Sequence, residues 1–273
     1  MGYKAILVHP EPTQEAVDRL ACAANLADRF GALLIGCGSE AETVLVDHPF
    51  AVHSPEVLAV RTRQVNDNIE AARLAFEKAS HNRPHNWVSE RLPPTEALAL
   101  HGRAADLIVT NTTPKERFNP SRHVDAGLLV AIAGRPVLVA PKGDDHLRGE
   151  RILVCWKDTR EARRAISDAL PFLQMAEDVL VVEVAAPDAI KDAGRRIGEV
   201  AEALCRHGVF AHSEVLVRDQ RKTVSILEDR ACALGADLIV AGGYGRSRMG
   251  EWAFGGVTES LLRQSGRFVL LSH

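Results

Sequence analysis

The stretch Ala236-Asp237-Leu238-Ile239-Val240-Ala241-Gly242-Gly243-Tyr244-Gly245 decides how the chain reads. After Ala236-Asp237 it is a short, wholly apolar run, Leu238-Ile239-Val240-Ala241, and it ends in glycines. An apolar run without polar alternation reads as a strand covered on both faces, the habit of parallel sheets flanked by helices. Its first five residues have a counterpart 131 positions earlier, Ala105-Asp106-Leu107-Ile108-Val109. Arg135-Pro136-Val137-Leu138-Val139 answers Arg267-Phe268-Val269-Leu270-Leu271 at an offset of 132, and Ile6-Leu7-Val8 answers Ile152-Leu153-Val154 at 146. Three anchors in the same order make the chain a tandem duplication. The drifting offset gives the first half about fifteen extra residues, placed in the stretch 41–60, which lacks a counterpart in the second half.

Outward from these anchors the elements alternate. In the second half, strand-like runs at Ile152–Trp156, Val179–Val184, Val209–Val217, Leu238–Ala241 and Phe268–Leu271 are separated by helical patterns. Thr159 is the expected N-cap of the first helix and Gly235 the expected C-cap of another. The first half repeats the order, with strands at Ile6–Val8, Leu33–Ile35, Trp87–Arg91, Leu107–Thr110 and Val137–Ala140. Strand and helix in alternation predict, in each half, a doubly wound, Rossmann-like α/β domain with a five-stranded parallel sheet. The polar segment Pro141-Lys142-Gly143-Asp144-Asp145-His146 has linker chemistry, so the domains are read as 1–143 and 150–273.

Composition excludes several functions. The chain has 273 residues, a formal net charge of −3, 46% hydrophobic and 25% charged residues, which is ordinary globular chemistry rather than a polybasic nucleic-acid binder. Aromatics at 5% offer little stacking surface for single strands. The longest apolar stretch, 126–134, falls well short of the ~20 residues that span a bilayer. Met1-Gly2-Tyr3-Lys4 leads straight into a strand with no signal core, so the expected setting is the cytoplasm, with no membrane partner. Five scattered cysteines without a CxxC pair read as buried thiols, not as a disulfide framework or a zinc site.

In such folds ligands sit outside the carboxyl ends of the strands, where the connections diverge. The segment that follows Ala241 there is glycine-rich: Gly242, Gly243, Gly245, then Gly250 and Gly255-Gly256 before the helix at Val257. Glycines let backbone N–H groups form an anion nest, and the following helix start adds its dipole. Arg246, Ser247 and Arg248 add charge and hydroxyl groups suited to phosphate. On residues alone, a turn that binds nothing fits equally well.

Here the chain resembles the universal stress protein family. Gly242-x2-Gly245-x9-Gly255 has the spacing of that family's nucleotide loop, after its Ala-Asp-Leu-Ile-Val strand and before a Val-x-Glu helix start. The resemblance spans both halves and implies a tandem member whose domains pair within the chain as a pseudo-dimer, often through the last strand of each. It also implies an adenine nucleotide such as ATP as the cofactor, in the C-terminal half. Lys157, Asp158 and Thr159 would border base and sugar; Gly242, Gly245, Arg246, Gly255, Gly256, Val257 and Thr258 would surround the phosphates. Three departures stand out. Gly256 replaces the hydroxyl residue expected after the third glycine, with Thr258 as a substitute. Lys157 stands where nucleotide-binding members carry Asp. Asn111-Thr112-Thr113-Pro114 replaces the loop in the first half, where Pro114 lacks both an N–H and the freedom the nest requires. The first half is therefore expected to be a non-binding partner domain.

The remaining signals are weaker. His81 and His85 flank Pro84, which opposes a helix holding both on one face, and no cluster at metal-ligand spacing joins them. His48 and His53 fall in the inserted stretch, while Trp252 and Phe254 fall in the glycine-rich loop as packing residues or a lid. No nucleophile with its base can be assembled around Ser247 or Ser260, so a binding or regulatory protein is favoured over an enzyme. A slow nucleotide hydrolase using the same loop and a nucleotide-free scaffold acting through protein partners stay open, as does a homo-oligomer.

Overall fold

A computed structural model of the chain describes residues 2–11, 14–42, 55–111, 118–243, 256–264 and 266–273. Among them, ten strands form one sheet in the order β3-β2-β1-β4-β5-β10-β9-β6-β7-β8. The first half supplies β1 (Ala5–Val8), β2 (Leu33–Ser39), β3 (His85–Glu90), β4 (Leu107–Asn111) and β5 (Val137–Ala140). The second supplies β6 (Arg151–Cys155), β7 (Asp178–Ala185), β8 (Ala211–Val217), β9 (Leu238–Gly242) and β10 (Phe268–Ser272). Each half has the order 3-2-1-4-5 and is parallel throughout; the halves meet where β10 pairs antiparallel with β5, Leu270 opposite Leu138. The two expected five-stranded sheets are thus one continuous sheet, joined through the last strand of each half.

Burial explains the strand sequences. The central strands carry apolar side chains on both faces, so they read as unbroken runs. One face is covered by α1 (Gln14–Phe30), α2 (Pro55–Ala79), α5 (Arg160–Leu173) and α6 (Ile190–Arg206), packed over Ile6, Val8, Val109, Val154 and Val240. The other carries α3 (Pro94–His101), α4 (Ala126–Ile132), α7 (Thr223–Leu234) and α8 (Gly256–Gln264) over Leu7, Ile108, Leu153, Ile239 and Val269. The outermost strands β3 and β8 are half-exposed and correspondingly polar. Thr159 caps α5 by accepting from the Ala162 N–H at 3.3 Å, and Gly235 ends α7 with φ 67°, the left-handed turn glycine adopts without strain.

The first half's extra length is partly helical: α2 has 25 residues where α6 has 17. Between the halves, Tyr3, Phe30 of α1 and Phe172 of α5 form an aromatic cluster with ring centroids 5.0–5.5 Å apart. The Tyr3 hydroxyl donates to the Asp168 carbonyl at 2.6 Å, and this burial pushes the phenol well above its usual range. The segment 141–150 between β5 and β6 lies along α1, where Arg29 Nη1 donates to the Leu147 carbonyl at 3.0 Å.

Candidate functional site

The sheet has two places where connections leave neighbouring strands in opposite directions: between β1 and β4, and between β6 and β9. In doubly wound folds such places form crevices at the strand carboxyl ends, where ligands bind. Register fixes what lines them. Val8 pairs with Val109, so His9 and Asn111 leave adjacent strand ends in the first half. Cys155 pairs with Ala241, which sets residues 156–159 beside Gly242 and Gly243 in the second.

In the second crevice the N-terminal turn of α5 lies directly on the end of β9. A Cβ on Gly242 would come within 2.6 Å of the Ala162 nitrogen and 2.7 Å of the Glu161 carbonyl carbon, so this position takes no side chain. Gly243 donates its N–H to the Ser272 carbonyl at 2.7 Å, and a Cβ there would strike Val130 of α4 at 2.6 Å. Both glycines serve close backbone approach, the second across the two halves. Because β9 and β10 are parallel, α8 must start at the same carboxyl-end side, so its opening turn at Gly256, Val257 and Thr258 faces this end of the sheet. Among the described residues nothing lies within 4 Å of a Cβ placed on Gly256, whereas Thr258 is buried in the first turn.

Of the three residues expected beside base and sugar, Thr159 is committed to capping α5. Asp158 pairs with Arg163 and lines a groove of about 620 Å³ between α5 and α6, whose inner wall includes Trp156, Ile166 and Leu170. Lys157 is exposed. The residues expected to follow, Gly245, Arg246 and Gly255, together with Ser247, Trp252 and Phe254, lie outside the described residues.

Three side chains that the sequence did not single out belong to this crevice. Glu161 is buried beside Gly242 and accepts from Arg160 Nε at 2.6 Å. Burial alone would raise its carboxyl, but the hydrogen bonds from Arg160 and its own helix start hold it below the usual carboxylate range. Arg160 Nη2 also reaches His273 Nε2 at 3.4 Å, while His273 Nδ1 donates to the Gly243 carbonyl at 3.1 Å. The signal for Glu161 was present as an acidic residue in the first turn after a Thr cap.

The first crevice is built differently. Arg19 of α1 is buried at 2% exposure and donates to the His9 carbonyl at 3.0 Å, to Asn111 Oδ1, and to Glu11 Oε1 at 3.2 Å. His9, also 2% exposed, has Nδ1 2.8 Å from the Cys37 carbonyl. Its burial lowers the imidazole to about 4, against the opposing pull of Glu11. Asn111, expected only as a residue of a lost loop, is a partner in a buried charged network. The segments 43–54 and 112–117, with His48, His53 and Pro114, lie outside the described residues.

The other expected features are placed as follows. Cys22 and Cys37 are buried, and burial pushes both thiols up to about 12; Cys205 and Cys232 are exposed, which corrects the reading of both as buried thiols. In α7 it is Leu227 and Ala231 that are buried, while Cys232 faces outward. His81 and His85 are exposed, with His85 against the Arg83 carbonyl at 2.9 Å. Among the described residues no three His, Cys, Asp or Glu side chains group as a metal site, and no helix is long and apolar enough to cross a membrane.

No protein-family model and no curated protein matches the sequence. Solved structures match along its whole length. A universal stress protein from Archaeoglobus fulgidus is 14% identical, with a TM-score of 0.70, covering 98% of this chain and 97% of that one. A chain from Pseudomonas aeruginosa described as a universal stress protein is 20% identical at a TM-score of 0.62, covering 99% and 93%. A protein of unknown function from Pseudomonas aeruginosa is 19% identical at 0.59, covering 99% and 92%. The chain therefore has the two-domain fold seen in universal stress proteins.

Proposed function

We propose that the chain is a cytoplasmic tandem universal stress protein that acts by binding, with 1–143 and 150–273 as its domains and an adenine nucleotide (ATP, ADP or AMP) held by the second. The observation that supports this most is the pairing of Cys155 with Ala241, which sets the turn into α5 beside the end of β9 where the connections diverge. Lys157, Asp158 and Thr159 then flank base and sugar. Gly242, Gly245, Arg246, Gly255, Gly256, Val257 and Thr258 belong to the phosphate end, where backbone N–H groups, an arginine and a helix start suit an anion. Glu161, already held by Arg160, adds no uncompensated negative charge there.

Isothermal titration with ATP, ADP and AMP tests the reading on the parent and on Gly245→Pro. Binding by the parent, weakened at least tenfold in the variant, supports it. No heat from the parent with any of the three overturns it. Time-resolved phosphate release on the same samples separates binding from hydrolysis.

A further inference from the structure

The crevice of the first half holds a cavity of about 150 Å³, lined by His9, Glu11, Ser39, Glu40, Asn68 and Arg122 among others. That is roughly the space of five waters, or of a molecule with fewer than about ten heavy atoms. The orientation of His9 decides what the cavity can accept. A carbonyl only accepts hydrogen bonds, so the Cys37 carbonyl at 2.8 Å fixes the ring proton on Nδ1. Nε2 is left as a lone pair, and among the described residues it has no hydrogen-bond partner. Groups that face the ring accept as well: Glu11 Oε1, 3.9 Å from Nε2, and the Arg122 carbonyl. A buried acceptor without a donor, as His9 Nε2 is among the described residues, is expensive to maintain and calls for a reason.

The charges in the wall add a second constraint. Glu11 is balanced by Arg19 at 3.2 Å and Glu40 by Arg122 at 3.3 Å. A bare cation or anion entering would leave one charge uncompensated, whereas a molecule carrying both would not. An ammonium group brings three N–H donors, one for each converging acceptor. The Arg122 side chain is 46% exposed, and its planar fork suits a carboxylate.

We propose that this crevice is a second ligand site, taking a small zwitterion of amino-acid size. Its ammonium group meets His9 Nε2, Glu11 and the Arg122 carbonyl, and its carboxylate meets the Arg122 guanidinium. The site shares no residue with the nucleotide crevice, so either reading stands or falls without the other.

The test is isothermal titration of the full chain with single small amino acids at millimolar concentration, alongside methylamine, acetate and zinc chloride. One or more amino acids should bind, with methylamine and acetate at least tenfold weaker. Arg122→Gln, at a half-exposed position, should weaken the amino acid about tenfold or more, while methylamine, with Glu40 no longer balanced, binds at least as well as to the parent. His9→Gln should weaken both. A cavity that takes water only, shown by no heat from any amino acid, overturns the proposal. So does zinc binding tighter than every amino acid, or an amino acid bound equally well by the parent and Arg122→Gln.

Discussion

The two strand-end crevices occupy equivalent places in the duplicated fold, yet their residues differ in kind. His9 at the end of β1 corresponds to Cys155, Glu11 to Lys157, Arg19 in α1 to Ala165 in α5, and Asn111 to Gly242. The first half fills its crevice with a buried guanidinium held by a carboxylate, an amide and a carbonyl. The second puts an alanine and a glycine at the corresponding points, and the helix start moves onto the strand end instead. One copy is organised by side-chain charge and the other by close backbone approach. Duplication preserved the apolar faces that build the sheet while these few strand-end positions diverged, which is expected where ligand chemistry resides on a rigid scaffold.

The largest way to break the contrast is Arg19→Leu. It would strand Glu11 and Asn111 in the first crevice, and removing one member of a buried ion pair costs about 3–5 kcal/mol. Urea denaturation should register that loss. Ala165→Gly, at the equivalent point, should cost only about 1 kcal/mol through helix propensity. Equal losses would show that the first network is not organised by charge.

The next largest effect is acid sensitivity. His9 sits near 4 in the folded protein and near 6.5 when unfolded, so the unfolded chain binds more protons between those values. Stability is therefore full above about pH 6.5 and falls toward pH 4, by about 2–3 kcal/mol at pH 4.5 from this residue alone. Glu11, Arg19 and the carbonyls of Cys37 and Arg122 are the groups that face it. Urea midpoints at pH 7.5 and 4.5, compared for the parent and His9→Gln, isolate this contribution. An equal acid loss in both would place it elsewhere.

Gly242→Ala sharpens the other side of the contrast. Its methyl group would meet backbone atoms of Glu161 and Ala162 that cannot rotate away, and overpacking of this sort costs about 1–3 kcal/mol. The parallel change Asn111→Ala removes a partner of Arg19 without adding bulk, so the two variants should fail by different routes. Crystallography should show the α5 start displaced only in Gly242→Ala. The smallest effect is at the seam: Tyr3→Phe deletes one hydrogen bond to Asp168 and should cost about 1 kcal/mol in thermal or chemical melts.

Much of this architecture was readable in the residues, for identifiable reasons. Leu238–Val240 and its repeat announce buried parallel strands because both faces are covered, and Thr159 and Gly235 mark helix ends through chemistry local to the backbone. Glycines at 242 and 243 pointed to the second crevice for the same reason. The first crevice was not legible. Arg19 looks like any exposed helical arginine until tertiary packing turns it inward, and His9 differs from the chain's other histidines only by its place at a strand end. Their partners lie 10 and 92 residues from Arg19, and 28 from His9, distances over which no local pattern operates. Only the meeting of the halves at their last strands comes from the family likeness; that this makes one continuous ten-stranded sheet is not legible, since no strand's pattern states which edge it will join.

The antiparallel seam between β5 and β10 has a consequence for assembly. Each half presents its last strand to the other, so the two edges most apolar in character are consumed inside one chain. What remains at the outer rims is β3, with His85, Asn86 and Glu90, and β8, with His212, Ser213 and Glu214. Polar and charged side chains on an outermost strand discourage a further strand from docking. Among the described strands, the two left at the rims of the ribbon are thus the ones least suited to adding a further strand.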